Sequence, residues 1–161
     1  MYQDYKDLLS AFHSHGVEYL VVGGFAVIYH AQPRFTKDLD LFIKPSAANA
    51  ESVYAALAGF GAPLQGIHPE DFTDRNNFFR FGRDPKGFDI LPEIPGVDFD
   101  AAWARRVEIV IDAASGQKAN FISAEDLIAS KLATGRPQDI ADAHAVRQAL
   151  SLKRDDLTQP R

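Results

Sequence analysis

Residues 34–45, RFTKDLDLFIKP, decide the fold, because they read as a buried strand that carries two aspartates. Leu39, Leu41 and Ile43 alternate with Asp38, Asp40 and Phe42. Side chains alternate sides along a strand, so both carboxylates fall on one face and the aliphatics on the other. Like charges this close raise one another's energy. A divalent cation would remove that repulsion; the wet face of an edge strand would also explain the spacing.

Upstream, apolar positions at Tyr5, Leu8, Leu9 and Phe12 predict a helix over 2–14, stopped by Gly16. EYLVVGG (18–24) reads as a short buried strand ending in Gly23 and Gly24, and FAVIYHA (25–31) as a helix broken before Pro33. Downstream, Ser46 is the expected N-cap of a helix through Leu57, with Gly59 and Gly61 at its stop. Residues 62–75 read as loop with a little helix. NNFFRFGR (76–83) and GFDILP (87–92) flank DPK as one hairpin, and VEIVID (107–112) and KANFIS (118–123) form another. Ser123 with Asp126 three residues on resembles a capping box opening a helix to about Ala133. Gly135 ends it, and Pro137 starts a last helix to Leu150. The expectation is one α+β domain over 1–150, a mixed sheet flanked by helices with helices at its C-terminal end. Residues 151–161 follow as a polar tail.

Composition narrows the function classes. The 161 residues hold no cysteine, which excludes disulfides and thiolate metal sites. No apolar run reaches membrane-span length and the first residues are too polar for a signal peptide, so a cytoplasmic protein with no membrane partner is expected. A net charge of −5 argues against broad electrostatic binding to nucleic acid, though not against a local basic groove.

Further residues carry chemistry. Gly23 and Gly24 sit where a strand turns into a helix, a place where a backbone can approach an anion closely; a tight turn alone also accounts for them. Asp89 lies within the apolar run Phe88–Leu91. A buried strand seldom accepts a lone aspartate without a partner, either a bound group or a structural hydrogen bond to a loop. Lys131 falls on or beside the apolar stripe of its helix, snorkelling its stem or meeting an anion. Asp139 and Asp142 share a helix face, and they also suit a helix start. Arg34, Arg80, Arg83, Lys86 and Arg136 form either a basic rim or a solvated scatter. The five histidines lack ligand spacing, and Trp103 with Val107 is expected in the core.

Taken together, a glycine pair, thirteen intervening residues, Asp-Leu-Asp and a later strand aspartate resemble the nucleotidyltransferase superfamily typified by DNA polymerase beta. VVGGFAVIYHAQPRFTKDLDLFI (21–43) and DLIASKLATGRPQDIADAHAV (126–146) look like the two signatures of its AbiEii/AbiGii toxin-type branch. The resemblance implies that Gly23 and Gly24 hold nucleotide phosphates and that Asp38 and Asp40 bind two Mg2+, for which Mn2+ can substitute. Asp89 would share a metal and activate the acceptor hydroxyl. Arg34, Thr36, Lys131, Asp139 and Asp142 would complete the nucleotide site, with Lys131 among the catalytic groups. It further implies NTP as substrate, an RNA end, a protein or a small molecule as acceptor, and, for a toxin, an antitoxin protein as partner. The different-class alternative is a non-catalytic nucleotide-binding or regulatory module that keeps the fold. If Lys131 meets a triphosphate, its Nζ must share a cleft with Asp38 and Asp40 and take a carboxylate partner when no ligand is bound.

Overall fold

The computed structural model describes residues 1–36 and 38–158. Its sheet has six strands in the order β3-β4-β2-β1-β6-β5. These are β1 (Tyr19–Val22), β2 (Leu39–Ile43), β3 (Phe79–Phe81), β4 (Phe88–Leu91), β5 (Val107–Asp112) and β6 (Gln117–Phe121). β2 runs antiparallel to β1 and parallel to β4, while β1 is parallel to β6. The two expected hairpins, β3–β4 and β5–β6, close the edges. Helices α1 (Gln3–Ser14), α2 (Gly23–His30), α3 (Ala47–Phe60), α4 (Phe99–Ala104), α5 (Ala124–Thr134) and α6 (Pro137–Thr158) flank the sheet, with a short 3-10 turn at Pro69–Thr73. The molecule is α+β with a mixed sheet, as its sequence pattern expects.

The alternation in β2 sorts its two faces. Leu39, Leu41 and Ile43 are fully buried in one core with Leu8, Leu9 and Phe12 of α1 and Val53 and Leu57 of α3. Each such aliphatic is worth about 1.5–3 kcal/mol on burial, so the strand cannot slip by one residue without exposing all three. That constraint fixes which way Asp40 points.

Asn49 locks the same strands from the side. Its backbone N–H donates to the Ser46 hydroxyl that caps α3. Its side chain accepts from the Glu18 N–H and donates to the Glu18 and Lys44 carbonyls at 2.8, 3.0 and 2.9 Å. One buried amide thus ties the start of β1 to the end of β2.

Several boundaries differ from the sequence reading. The glycine pair forms the first turn of α2 rather than preceding it, and α3 runs on to Phe60. α4 was not foreseen: six residues are too few to display a helical period, although Asp98 caps it by accepting from the Ala101 N–H. Trp103 and Val107 are half-buried and pack against the core at its edge, with the Arg106 guanidinium 4.0 Å above the Trp103 ring. The last helix continues unbroken past Leu150 to Thr158, so residues 151–158 are helical rather than a frayed tail. They contain no glycine or proline, and Leu, Lys and Arg are strong helix formers. Positions 159–161 of that tail lie outside the described residues.

Replacing Asn49 by alanine should leave the Glu18 N–H and the Lys44 carbonyl without their partner, while the Glu18 carbonyl keeps the Lys44 N–H. The expected loss is about 2–4 kcal/mol in urea unfolding; a change below 0.5 kcal/mol would show that water replaces the amide.

Candidate active site

Strand register builds the acidic half of the site. Asp40 pairs across the parallel ladder with Asp89, and Asp89 across the antiparallel one with Arg80, so Asp40, Asp89 and Arg80 make a row over three strands on one face. Asp38 precedes β2 on the same side. Val22 is the register partner of Asp40 on the other flank, and the chain turns into α2 immediately after it. Gly23 there has φ +67°, and a Cβ on it would collide with Asp40 Oδ2. A Cβ on Gly24 would collide with the Thr36 side chain. Both glycines thereby let the helix start press against the acid strand and the loop leading into it.

Arg80 grips two of the acids. Its Nε and Nη2 donate to the two oxygens of Asp89 at 3.0 and 3.1 Å, and Nη2 also reaches Asp38 Oδ2 at 3.2 Å. Gly87 keeps Asp38 close to the start of β4, since a Cβ there would lie 3.0 Å from Asp38 Oδ1. The buried Tyr5 hydroxyl of α1 holds the Gly87 carbonyl at 2.6 Å.

The basic half comes from the helical pair. Gly135, at φ +70°, ends α5 and Pro137 opens α6 two residues later, so the last turn of one faces the first turn of the other. Lys131 Nζ meets Asp142 at 3.0 Å and Asp139 at 3.5 Å. Arg136 also holds Asp139, at 2.7 Å, and Arg34 and Gln138 hold Asp142 at 3.2 and 2.9 Å. Both acids are buried, at 2% and 3% exposed. Burial works against the charge on Asp139, but Arg136, Thr134 and Lys131 outweigh it and hold the carboxyl down at about 2. Arg34 Nε is a buried donor with no acceptor among the described residues.

The two halves face one cleft of about 570 Å³. Gly23, Gly24, Arg34, Thr36, Asp38, Asp40, Asp89, Lys131 and Asp139 all line it, while Asp142 stands behind Lys131. The structure therefore gathers in one place every residue singled out from the sequence for nucleotide or metal. Arg80, Arg136 and Gln138 line it too, with Phe35 exposed at its rim. The grip of Arg80 on the acids escaped sequence reading, because cross-strand partners are invisible before register is known. Arg83 and Lys86 do not line it.

Crowding shifts Asp40. Burial, the Asp89 charge, a hydrogen bond shared with Asp89, and Asp38 push its carboxyl up to about 7, with Lys131 only partly opposing them. Carboxyl oxygens on neighbouring strands are the hard donors a magnesium ion prefers, and its charge would relieve the crowding that makes Asp40 keep its proton. Among the described residues, no three acidic or histidine side chains are yet close enough to ligate a metal as they stand. Arg80 holds Asp38 and Asp89 instead.

Comparison with known proteins bears on the family and the fold. A family described as a nucleotidyltransferase of unknown function (DUF6036) matches residues 3–157. The lincomycin-bound crystal structure of the lincosamide antibiotic adenylyltransferase LnuA is similar at a TM-score of 0.58 and 16% identity, over 92% of this chain and 98% of that one. At that identity the likeness concerns the fold. No curated protein matches.

The raised Asp40 group predicts an unusual pH dependence. A free aspartate ionises near 3.8, so between there and about 7 the folded chain keeps a proton that the unfolded chain has released. In metal-free buffer, stability from this group is greatest at the acid end, declines as pH rises through that interval and levels off above it. Asp40→Asn should flatten the decline between about pH 4 and pH 7 in urea midpoints. An unchanged slope would assign it to other groups.

Proposed function

The chain belongs to this family of nucleotidyltransferases, and we propose that it moves a nucleoside monophosphate from an NTP to an acceptor hydroxyl with Mg2+. The observation that carries the proposal is the Asp40–Asp89 row, with Asp38 beside it, facing Lys131 and Arg34 across one cleft. In the reaction the acceptor oxygen attacks the α-phosphorus, the bond from that phosphorus to the β-phosphate oxygen breaks, and pyrophosphate leaves. Asp89 takes the hydroxyl proton. Asp38 and Asp40, with Asp89, would hold the magnesium ions, and bound Mg2+ supplies charge that aligns the attacking and leaving oxygens. Arg34 and Lys131, both lining the cleft, offset charge on the phosphates. The open backbone at Gly23 and Gly24 and the start of α2 receive them from the other side.

The resemblance of 21–43 and 126–146 to toxin-type signatures is what favours an antitoxin partner and an RNA or protein acceptor. The fold likeness to LnuA, described as an antibiotic adenylyltransferase, keeps a small-molecule hydroxyl in view. A cytoplasmic setting suits either acceptor; among the described residues no helix is long and apolar enough to cross a membrane. Incubation with each labelled NTP, Mg2+ and total cell extract separates the acceptors by which fraction takes the label. NTP binding with no fraction labelled would favour the alternative, a regulatory module that binds nucleotide without turnover.

Two variants test the roles. Asp89→Asn should keep nucleotide affinity while transfer falls roughly a hundredfold or more, the range of general-base effects; unchanged transfer would leave Asp89 a structural role only. Lys131→Met keeps the stem and removes the charge. Arg136 and Arg34 still partner Asp139 and Asp142, so the fold should survive while NTP binding weakens by about 1.5–3 kcal/mol in calorimetry. Full affinity in that variant would remove Lys131 from the site.

A further inference from the structure

Arg80 stands on a three-residue edge strand, and its partners among the described residues are the carboxylates of Asp89 and Asp38. The Asp89 contact is bidentate, a planar fork on a carboxylate. Yet the Arg80 side chain is 57% exposed while its acids are 11% and 18% exposed, so water can take the guanidinium while the carboxylates stay in place and need another cation. The acids it grips are two of the three that the proposed reaction assigns to Mg2+. The guanidinium already occupies both oxygens of Asp89 and one of Asp38, so a divalent cation arriving at those oxygens meets a like charge and competes for their lone pairs. Three carboxylates this crowded also need some positive charge beside them when no metal is present.

We propose that Arg80 is the resident counter-cation of the site: it holds Asp38 and Asp89 in the metal-free protein and is displaced when a divalent cation takes them. The inference rests on the nucleotidyltransferase reading and adds to it a residue that competes with the metal. Arg80 is then a positioning residue. It keeps the acids from repelling one another in the empty site and sets a threshold that the metal must exceed. The edge position suits this exchange, because β3 has only β4 as a neighbour and the released side chain already borders solvent.

The test titrates Mn2+ into wild type, Arg80→Gln and Arg80→Lys, first alone and then with ATP, reading free Mn2+ by electron paramagnetic resonance. Removing the competitor should tighten Mn2+ binding roughly three- to tenfold in Arg80→Gln, with Arg80→Lys between. Without metal, Arg80→Gln should also melt lower than wild type, with the gap closing as Mn2+ is added. Arg80→Lys keeps a charge near the acids and serves as the reference should the glutamine variant fold poorly. Equal or weaker Mn2+ binding in both variants overturns the inference and leaves nucleotidyl transfer standing. Absence of Mn2+ binding in all three proteins, with or without ATP, overturns both.

Discussion

Asp40 and Asp89 are register partners on parallel strands, so main-chain hydrogen bonds hold their carboxyls side by side. The acids cannot relax apart unless the ladder opens, and the ladder is anchored by Leu39, Leu41 and Ile43 in the core behind it. Repulsion on one face is thus sustained by apolar burial on the other. What surrounds the acids answers that repulsion: a retained proton on Asp40, the fork of Arg80 on Asp89 and Asp38, and Lys131 across the cleft.

The same constraint explains the glycines without appeal to a ligand. With φ positive at Gly23 and Asp40 Oδ2 where a Cβ would stand, only glycine lets β1 turn directly into α2 at this point. Gly24 does the equivalent for Thr36. Their side-chain-free surface also lines the cleft, so close packing on the acid strand and open backbone for a ligand are two results of one geometry. A substitution at Gly23 would disturb both at once, so Gly23 is a poor residue from which to measure phosphate binding alone.

Much of this was legible in the chain because strand alternation and capping are local. Leu39–Ile43 announces which face holds acids, Ser46 and Ser123 mark helix starts, and Gly135 followed by Pro137 announces the turn that brings Lys131 to Asp139 and Asp142. What stayed hidden depends on neighbours distant in sequence. Arg80 looked like one more rim arginine until register set it beside Asp89, nine positions away through a hairpin. Asp126, read as a capping partner, also accepts two bonds from Arg105, at 2.8 and 3.0 Å, fastening α4 to α5. The extension of α6 is hidden for another reason: a polar stretch looks like a tail, although helix propensity does not require an apolar face.

Charge balance links the two halves of the cleft. Arg34, Lys131 and Arg136 are all engaged by Asp139 and Asp142, and Arg80 by Asp38 and Asp89. Among the described residues, no guanidinium or ammonium of the cleft therefore faces it wholly unpaired, and a polyphosphate there would share cations already committed to carboxylates. Asp139 and Asp142 are too buried to leave, so Lys131 and Arg34 keep their acids and present their remaining donors. The acidic half has more freedom, since Arg80 borders solvent and Asp40 titrates near neutrality. Positive charge arriving at the acids would release the Asp40 proton and the Arg80 fork together, and would leave the cleft more positive for an anion. Cation and polyphosphate are then favoured as one ligand rather than two independent ones, because each supplies the charge that the other's half of the site lacks.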